Sequence, residues 1–231
     1  MTVVLLISGS TRAGSTNTAA LRTVQAVAPD GIEARWYGGP AELPAFVPEA
    51  PEPAPPAVLR LRRQLAAADA VLFCTPEYAG TLPGSLKNLL DWTVGTGDLY
   101  GKPAAWLTVA APGRGDGATA TLASVLGYVG ADVDEGACAR LPLSRTDIGG
   151  DGLVVSPEFR AGAAEVLRRL GTRRRSSDTG RRGDDIRWEW APAPPRSTRL
   201  SRPFCQMRQC PAMLDQVVDQ FGTTNPFYRR P

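Results

Sequence analysis

The chain has 231 residues, 43% hydrophobic and 21% charged, with 26 basic and 23 acidic side chains, four cysteines and no histidine. That length holds one well-buried domain with material to spare, while the missing histidine removes Ser-His-Asp and Cys-His nucleophilic chemistry. Cys205 and Cys210 have neither a second pair nor a histidine to complete a zinc site, so no metal is expected.

The first apolar run, Val3-Val4-Leu5-Leu6-Ile7, has no basic region before it and is too short for a membrane span or a leader. It reads as a buried strand, and a cytoplasmic chain with no membrane partner is the expectation. Further strands are predicted over 32–37, 70–75, 104–110 and 131–137. Helical patterns lie between and after them, over 16–27, 57–68, 84–94, 118–129 and 157–170. Ser156-Pro157-Glu158 opens the last helix with a capping serine, a proline at the first position and an acid in the first turn. Strands alternating with helices imply an α/β domain, a parallel sheet covered on both faces. In such sheets ligands bind beyond the carboxyl ends of the strands, which directs attention to the loops after the first, third and fourth strands.

Two segments fall outside this alternation. Residues 38–56 contain seven prolines and are expected to be extended, as a surface loop or a partner-contacting arm. The division of charge sets 171–231 apart: residues 1–170 hold 14 basic and 17 acidic groups, a balance of −3, whereas 171–231 hold 12 arginines and six acids, +6. A domain over 1–170 and an Arg/Pro-rich, disorder-prone tail over 171–231 follow, with one mildly helical stretch at 213–221. Trp188, Trp190 and Phe204 give the tail some character of a nucleic-acid arm, but interspersed acids dilute its charge, and no nucleic-acid partner is expected.

The loop after the first strand reads Ser8-Gly9-Ser10-Thr11-Arg12-Ala13-Gly14-Ser15-Thr16-Asn17. Free N–H groups at a helix start, the hydroxyls of Ser10, Ser15 and Thr16, the Asn17 amide and the Arg12 fork together suit a phosphate. The lysine of a triphosphate loop and the third glycine of a dinucleotide fingerprint are absent, so a monophosphate fits better. A plain Ser/Thr cap with turn glycines is the other reading. The loop after the third strand, Pro76-Glu77-Tyr78-Ala79-Gly80, sets an aromatic ring and a close-approach glycine at a strand end, an arrangement suited to a flat ligand ring. Trp92, in the following helix, reads as packing. The loop after the fourth strand, Pro112-Gly113-Arg114-Gly115, exposes backbone N–H groups; Arg114 is either a partner for a ligand's negative charge or a solvated cation.

The segments GSTRAGSTN and TPEYAGTLPGSLKNLLDW, at this separation, resemble the NADPH-dependent FMN reductase-like family over about residues 3–170. The resemblance implies a flavodoxin-like three-layer sandwich with a five-stranded parallel sheet in the order 2-1-3-4-5. It implies FMN as cofactor, held by Ser10, Arg12, Ser15, Thr16 and Asn17 at the phosphate and bordered by Pro76, Glu77, Tyr78, Ala79 and Gly80. Pro112, Gly113, Arg114 and Gly115 match the third flavin loop. Ala79 stands where relatives often have asparagine. NADPH (or NADH) is the implied electron donor and a flavin, quinone, azo compound or metal oxyanion the acceptor, with no side chain required as a catalytic acid or base. Lys87, Asn88, Asp91 and Trp92 match a helix that helps form subunit interfaces in relatives, so a homodimer or homotetramer is implied. A flavodoxin-like electron carrier and a non-redox phosphate- or nucleotide-binding module are the competing classes.

Overall fold

The computed structural model describes residues 1–172, apart from 13 and 50–52. The expectations for 173–231, the helical stretch at 213–221 included, lie outside the described residues. Strands β1 (Thr2–Ser8), β2 (Ile32–Tyr37), β3 (Ala70–Cys74), β4 (Pro103–Thr108), β5 (Asp132–Val133) and β6 (Ala139–Arg140) alternate with helices α1 (Thr16–Ala26), α2 (Pro56–Ala66), α3 (Gly84–Val94), α4 (Asp116–Tyr128) and α5 (Pro157–Thr172). All pairings among the named strands are parallel, and the order β2-β1-β3-β4-β5 is the one implied above.

Residues 4–7 of β1 and all of β3 are buried, as continuous apolar runs must be when a parallel sheet is covered on both faces. Side-chain alternation sends Leu5, Ile7, Val71 and Phe73 to one face and Val4, Leu6, Ala70 and Leu72 to the other. The first set packs against Val58, Leu61 and Leu65 of α2, Leu86, Leu89 and Leu90 of α3 and Leu122 and Leu126 of α4. The second packs against Leu21 and Val24 of α1 and Val166, Leu167 and Leu170 of α5. Registers Leu5↔Val71 on the first face and Leu6↔Leu72 on the second keep each core aligned across neighbouring strands.

The expected fifth strand over 131–137 is present but covers only Asp132–Val133. β5 ends after two residues, a 3-10 turn occupies Glu135–Ala137, and β6 then returns to the same β4 edge, giving six strands instead of five. β5 pairs with Pro103 and Ala104, β6 with Leu107 and Thr108. The cause is local: the Asp134 carboxylate accepts the N–H of Gly136 at 3.0 Å and turns the chain before it can continue the ladder.

The proline-rich segment is pinned along α3. Asn88 donates to the Pro44 carbonyl (2.9 Å) and accepts the Phe46 N–H (2.8 Å), and the Trp92 indole N–H also donates to Pro44 (2.9 Å). Phe46 meets the buried Trp92 ring edge-on at 5.2 Å, so Trp92 packs as expected. At the amino end of the sheet, the fully buried Lys102 donates to the Ala68 carbonyl at 2.6 Å. Nearby, Arg62 Nε lies 3.8 Å from Asp98, whose carboxyl burial holds above its ordinary range.

Candidate functional site

The three loops singled out in the sequence leave the carboxyl ends of β1, β3 and β4. Ser15 caps α1, its hydroxyl accepting the Asn17 N–H at 3.2 Å. The N–H groups of Thr16 and Thr18 have no partner among the described residues, as the open first turn of a helix leaves them. Ser8 and Ser10 close a small turn in which the Ser10 N–H donates to the Ser8 hydroxyl (3.1 Å) and the Arg12 N–H to the Ser10 hydroxyl (3.3 Å). Ser10, Ser15 and Asn17 are buried, while Arg12 is exposed. Polar groups held at a helix start fit a phosphate monoester.

This loop is tied to the next strand. The Gly9 N–H donates to the Cys74 carbonyl at 2.9 Å, and a Cβ on Gly9 would come within 2.1 Å of the Thr75 hydroxyl, so only glycine allows the approach. The Cys74 thiol donates to Asn17 Oδ1 at 3.3 Å, which turns the Asn17 amide. Burial raises the Cys74 thiol well above its ordinary range, so it acts as a neutral donor here and not as a nucleophile.

After Pro76 and Glu77 the chain makes a two-residue hairpin. Tyr78 and Thr81 exchange backbone hydrogen bonds of 3.0 and 3.1 Å, and Ala79 and Gly80 both have positive φ, 50° and 76°. That is the geometry of a type I′ turn, which favours Asn-Gly. The turn holds Tyr78 half exposed at the rim. Glu77 is engaged by α4: one carboxylate oxygen accepts the N–H groups of Gly117 (2.8 Å) and Ala118 (3.2 Å). The expectation that Glu77 borders a ligand ring therefore rests on its backbone, since its carboxylate caps a helix. Thr81 and Thr121 share a hydroxyl hydrogen bond of 2.9 Å, and Gly117 sits so close to the Gly80 carbonyl that a Cβ would lie 2.1 Å from it.

The third loop contains Pro112, Gly113, Arg114 and Gly115, with both glycines at positive φ, 77° and 81°. Pro112, Gly113 and Arg114 are exposed, and the N–H groups of Gly113 and Gly115 have no partner among the described residues. Its shape is set by a residue that motif reading does not find. Arg140, from β6, donates through Nη1 to the carbonyls of Ala110 (3.2 Å), Ala111 (3.2 Å) and Arg114 (2.8 Å), and through Nη2 to Asp116. With its carbonyls drawn toward one guanidinium, the loop is left with N–H groups for a ligand.

A model of the NADPH-dependent FMN reductase family matches residues 1–137. The chain belongs to that family. Among relatives of the family, it is 43% identical over 113 residues to an NAD(P)H-dependent FMN reductase of Pseudomonas aeruginosa, covering 47% of this chain and 60% of that protein. It is 36% identical over 104 residues to a quinone reductase of Escherichia coli, covering 43% and 55%. The chain thus spans little more than half the length of these curated relatives. Among solved structures it is similar to FerB, a flavoenzyme NAD(P)H:(acceptor) oxidoreductase from Paracoccus denitrificans, with a TM-score of 0.65, 27% identity, and coverage of 74% of this chain and 97% of FerB. All three loops of the family member lie within the matched residues, whereas Arg140 lies just beyond them. Among the described residues no helix is long and apolar enough to cross a membrane.

Proposed function

We infer that this chain is an NAD(P)H-dependent oxidoreductase that holds FMN across the three loops and passes electrons from reduced nicotinamide to a small acceptor such as a quinone, flavin, azo compound or metal oxyanion. What carries the reading is the linkage of the loops into one rim, Asn17 to Cys74 and Glu77 to the start of α4. Family membership supports it. When bound, the flavin supplies the hydride and electron chemistry.

The chain's own residues bind and orient. Ser10, Arg12, Ser15, Thr16 and Asn17 hold the phosphate through hydroxyls, amide and cation, beside the open N–H groups of α1. Pro76, Glu77, Tyr78, Ala79 and Gly80 form one border of the ring, with Tyr78 as its aromatic flank. Pro112, Gly113, Arg114 and Gly115 form the other, where the open N–H groups of Gly113 and Gly115 would be available to stabilise negative charge on a reduced ring. No side chain is assigned as a catalytic acid or base. The protein acts in the cytoplasm as a homodimer or homotetramer, and the reductase domain ends near residue 170, with 171–231 a separate tail.

The test is to purify the full chain, record its flavin absorbance, and follow bleaching on anaerobic addition of NADPH. A yellow protein that bleaches and then reoxidises with quinone supports the reading. A colourless chain that takes up no added FMN refutes it. A flavin that binds but is not reduced by NADPH or NADH points to an electron carrier instead.

A further inference from the structure

Behind the phosphate loop lies an open cleft of about 760 Å³, on the side of α1 facing the segment between β6 and α5. Three arginines from three segments line it: Arg12 from the loop, Arg22 from α1 and Arg145 from the 3-10 turn Arg145–Asp147. None of the three guanidinium groups has an ion pair or a hydrogen bond among the described residues, whereas other arginines, such as Arg35, Arg60, Arg140 and Arg169, do. The lone carboxylate of the lining, Asp151, accepts the Leu153 N–H at 3.0 Å. Arg22 Cζ lies over the Trp36 ring at 5.7 Å, a cation–π contact that leaves its N–H groups for an acceptor. Cations gathered in one concavity repel one another, and a bound polyanion relieves that cost.

We propose that this cleft receives the adenosine end of the reduced dinucleotide, with Arg22 and Arg145 reading the ribose 2′-phosphate that distinguishes NADPH from NADH. The inference rests on the reductase reading above and adds to it the residues that select the donor. Three features favour a nucleotide over a free anion. The cleft shares Arg12 and Ser15 with the loop assigned to the flavin phosphate, so it adjoins the flavin site at its phosphate end. Ile148 gives it an apolar wall that inorganic phosphate has no use for. Its volume lies in the range of small-ligand sites. An arginine near the ribose is the general means by which proteins accommodate a 2′-phosphate, and its fork pairs phosphate oxygens two at a time.

The test uses the full chain loaded with FMN and titrated calorimetrically with 2′,5′-ADP, 5′-AMP and inorganic phosphate. The expected result is 2′,5′-ADP binding about tenfold tighter than 5′-AMP, the worth of charge-assisted hydrogen bonds to one phosphate. R145A should abolish that preference and raise the KM for NADPH far more than that for NADH, with FMN affinity unchanged. R22A should do the same, but Arg145 decides, because it is exposed and its side chain supports no other residue. Equal affinities for the two nucleotides, a preference that survives R145A, or an equal rise in both KM values would overturn the proposal. So would displacement of 2′,5′-ADP by FMN, since the cleft would then belong to the flavin phosphate. Binding of inorganic phosphate as tight as 2′,5′-ADP would likewise refute a nucleotide site. A chain that takes up no FMN sinks the reductase reading, yet the same titration without flavin still supports or overturns the 2′-phosphate site.

Discussion

Replacing Glu77 with alanine removes the acceptor that holds the first turn of α4, leaving the N–H groups of Gly117 and Ala118 to water. Loss of a helix cap costs typically about 1 kcal/mol. The negative charge at the positive end of the helix dipole adds about 0.3–1 kcal/mol, with the lower part of that range apt for an exposed carboxylate. The sum is about 1.5 kcal/mol, which for a domain of this size lowers Tm by roughly 3–6 °C. Glu77→Gln keeps an acceptor oxygen and loses only the charge, so its Tm should fall by about 1–2 °C. Thermal unfolding by circular dichroism of the flavin-free chain reads both, and fluorescence-quenching titration reads FMN affinity. The alanine variant should bind FMN more weakly, because the second loop is no longer tied to the third. An alanine variant whose Tm stays within about a degree of the parent would refute the capping role. Unchanged stability with lost FMN affinity would make Glu77 a direct ligand contact instead.

Ala79 occupies a left-handed position that a Cβ disfavours by about 1–2 kcal/mol, so Ala79→Asn should raise unfolding free energy in urea by about 0.5–1 kcal/mol; a loss would contradict the turn assignment. Gly117→Ala drives a methyl against the Gly80 carbonyl and should cost about 1–3 kcal/mol, with a neutral effect in the same urea assay counting against the close approach. Arg140→Leu should weaken FMN binding by about tenfold, and Arg140→Lys should restore little of it, because a single ammonium cannot reach three carbonyls and Asp116 together. Full rescue by lysine would show that only charge matters. Burial favours the protonated thiol, raising Cys138 to about 11 and Cys74 higher still. Iodoacetamide mapping at mildly alkaline pH should therefore leave Cys74 unmodified until unfolding, with Cys138 reacting faster as pH climbs toward 11; native labelling of Cys74 would refute its burial.

The parts of the fold legible in sequence are those whose cause is local or periodic. β1 and β3 are unbroken apolar runs, and a strand buried on both faces leaves no other composition. Helix starts at Ser15 and Ser156 carry their own caps. The shortness of the edge strand is not legible because its interruption depends on one side chain, Asp134, winning the Gly136 N–H from the sheet. Within the site, the loop positions followed from strand ends, but side-chain assignments did not. The Glu77 carboxylate goes to a helix that begins 39 residues later, and Arg140 serves a loop 26 to 30 residues earlier, so neither partnership leaves a local trace. The closeness of Gly80 and Gly117 is likewise a product of how the hairpin packs against the first turn of α4, which neither glycine announces locally.

The break between β5 and β6 makes the sheet edge an adjustable spacer. In an unbroken strand, whose side chains alternate strictly, one residue gained or lost upstream would send Arg140 to the opposite face and release the third loop. The 3-10 turn at Glu135–Ala137 lies outside the ladder, where a length change can be absorbed before β6 begins. Lineages of this fold could therefore vary the α4–β5 end of the sheet without disturbing the address at which Arg140 arrives. The same turn makes the loop's hold separable from the sheet's stability. Local opening of two β6 residues would free the third loop while β1 through β4 stay intact, a low-cost route for loop flexibility.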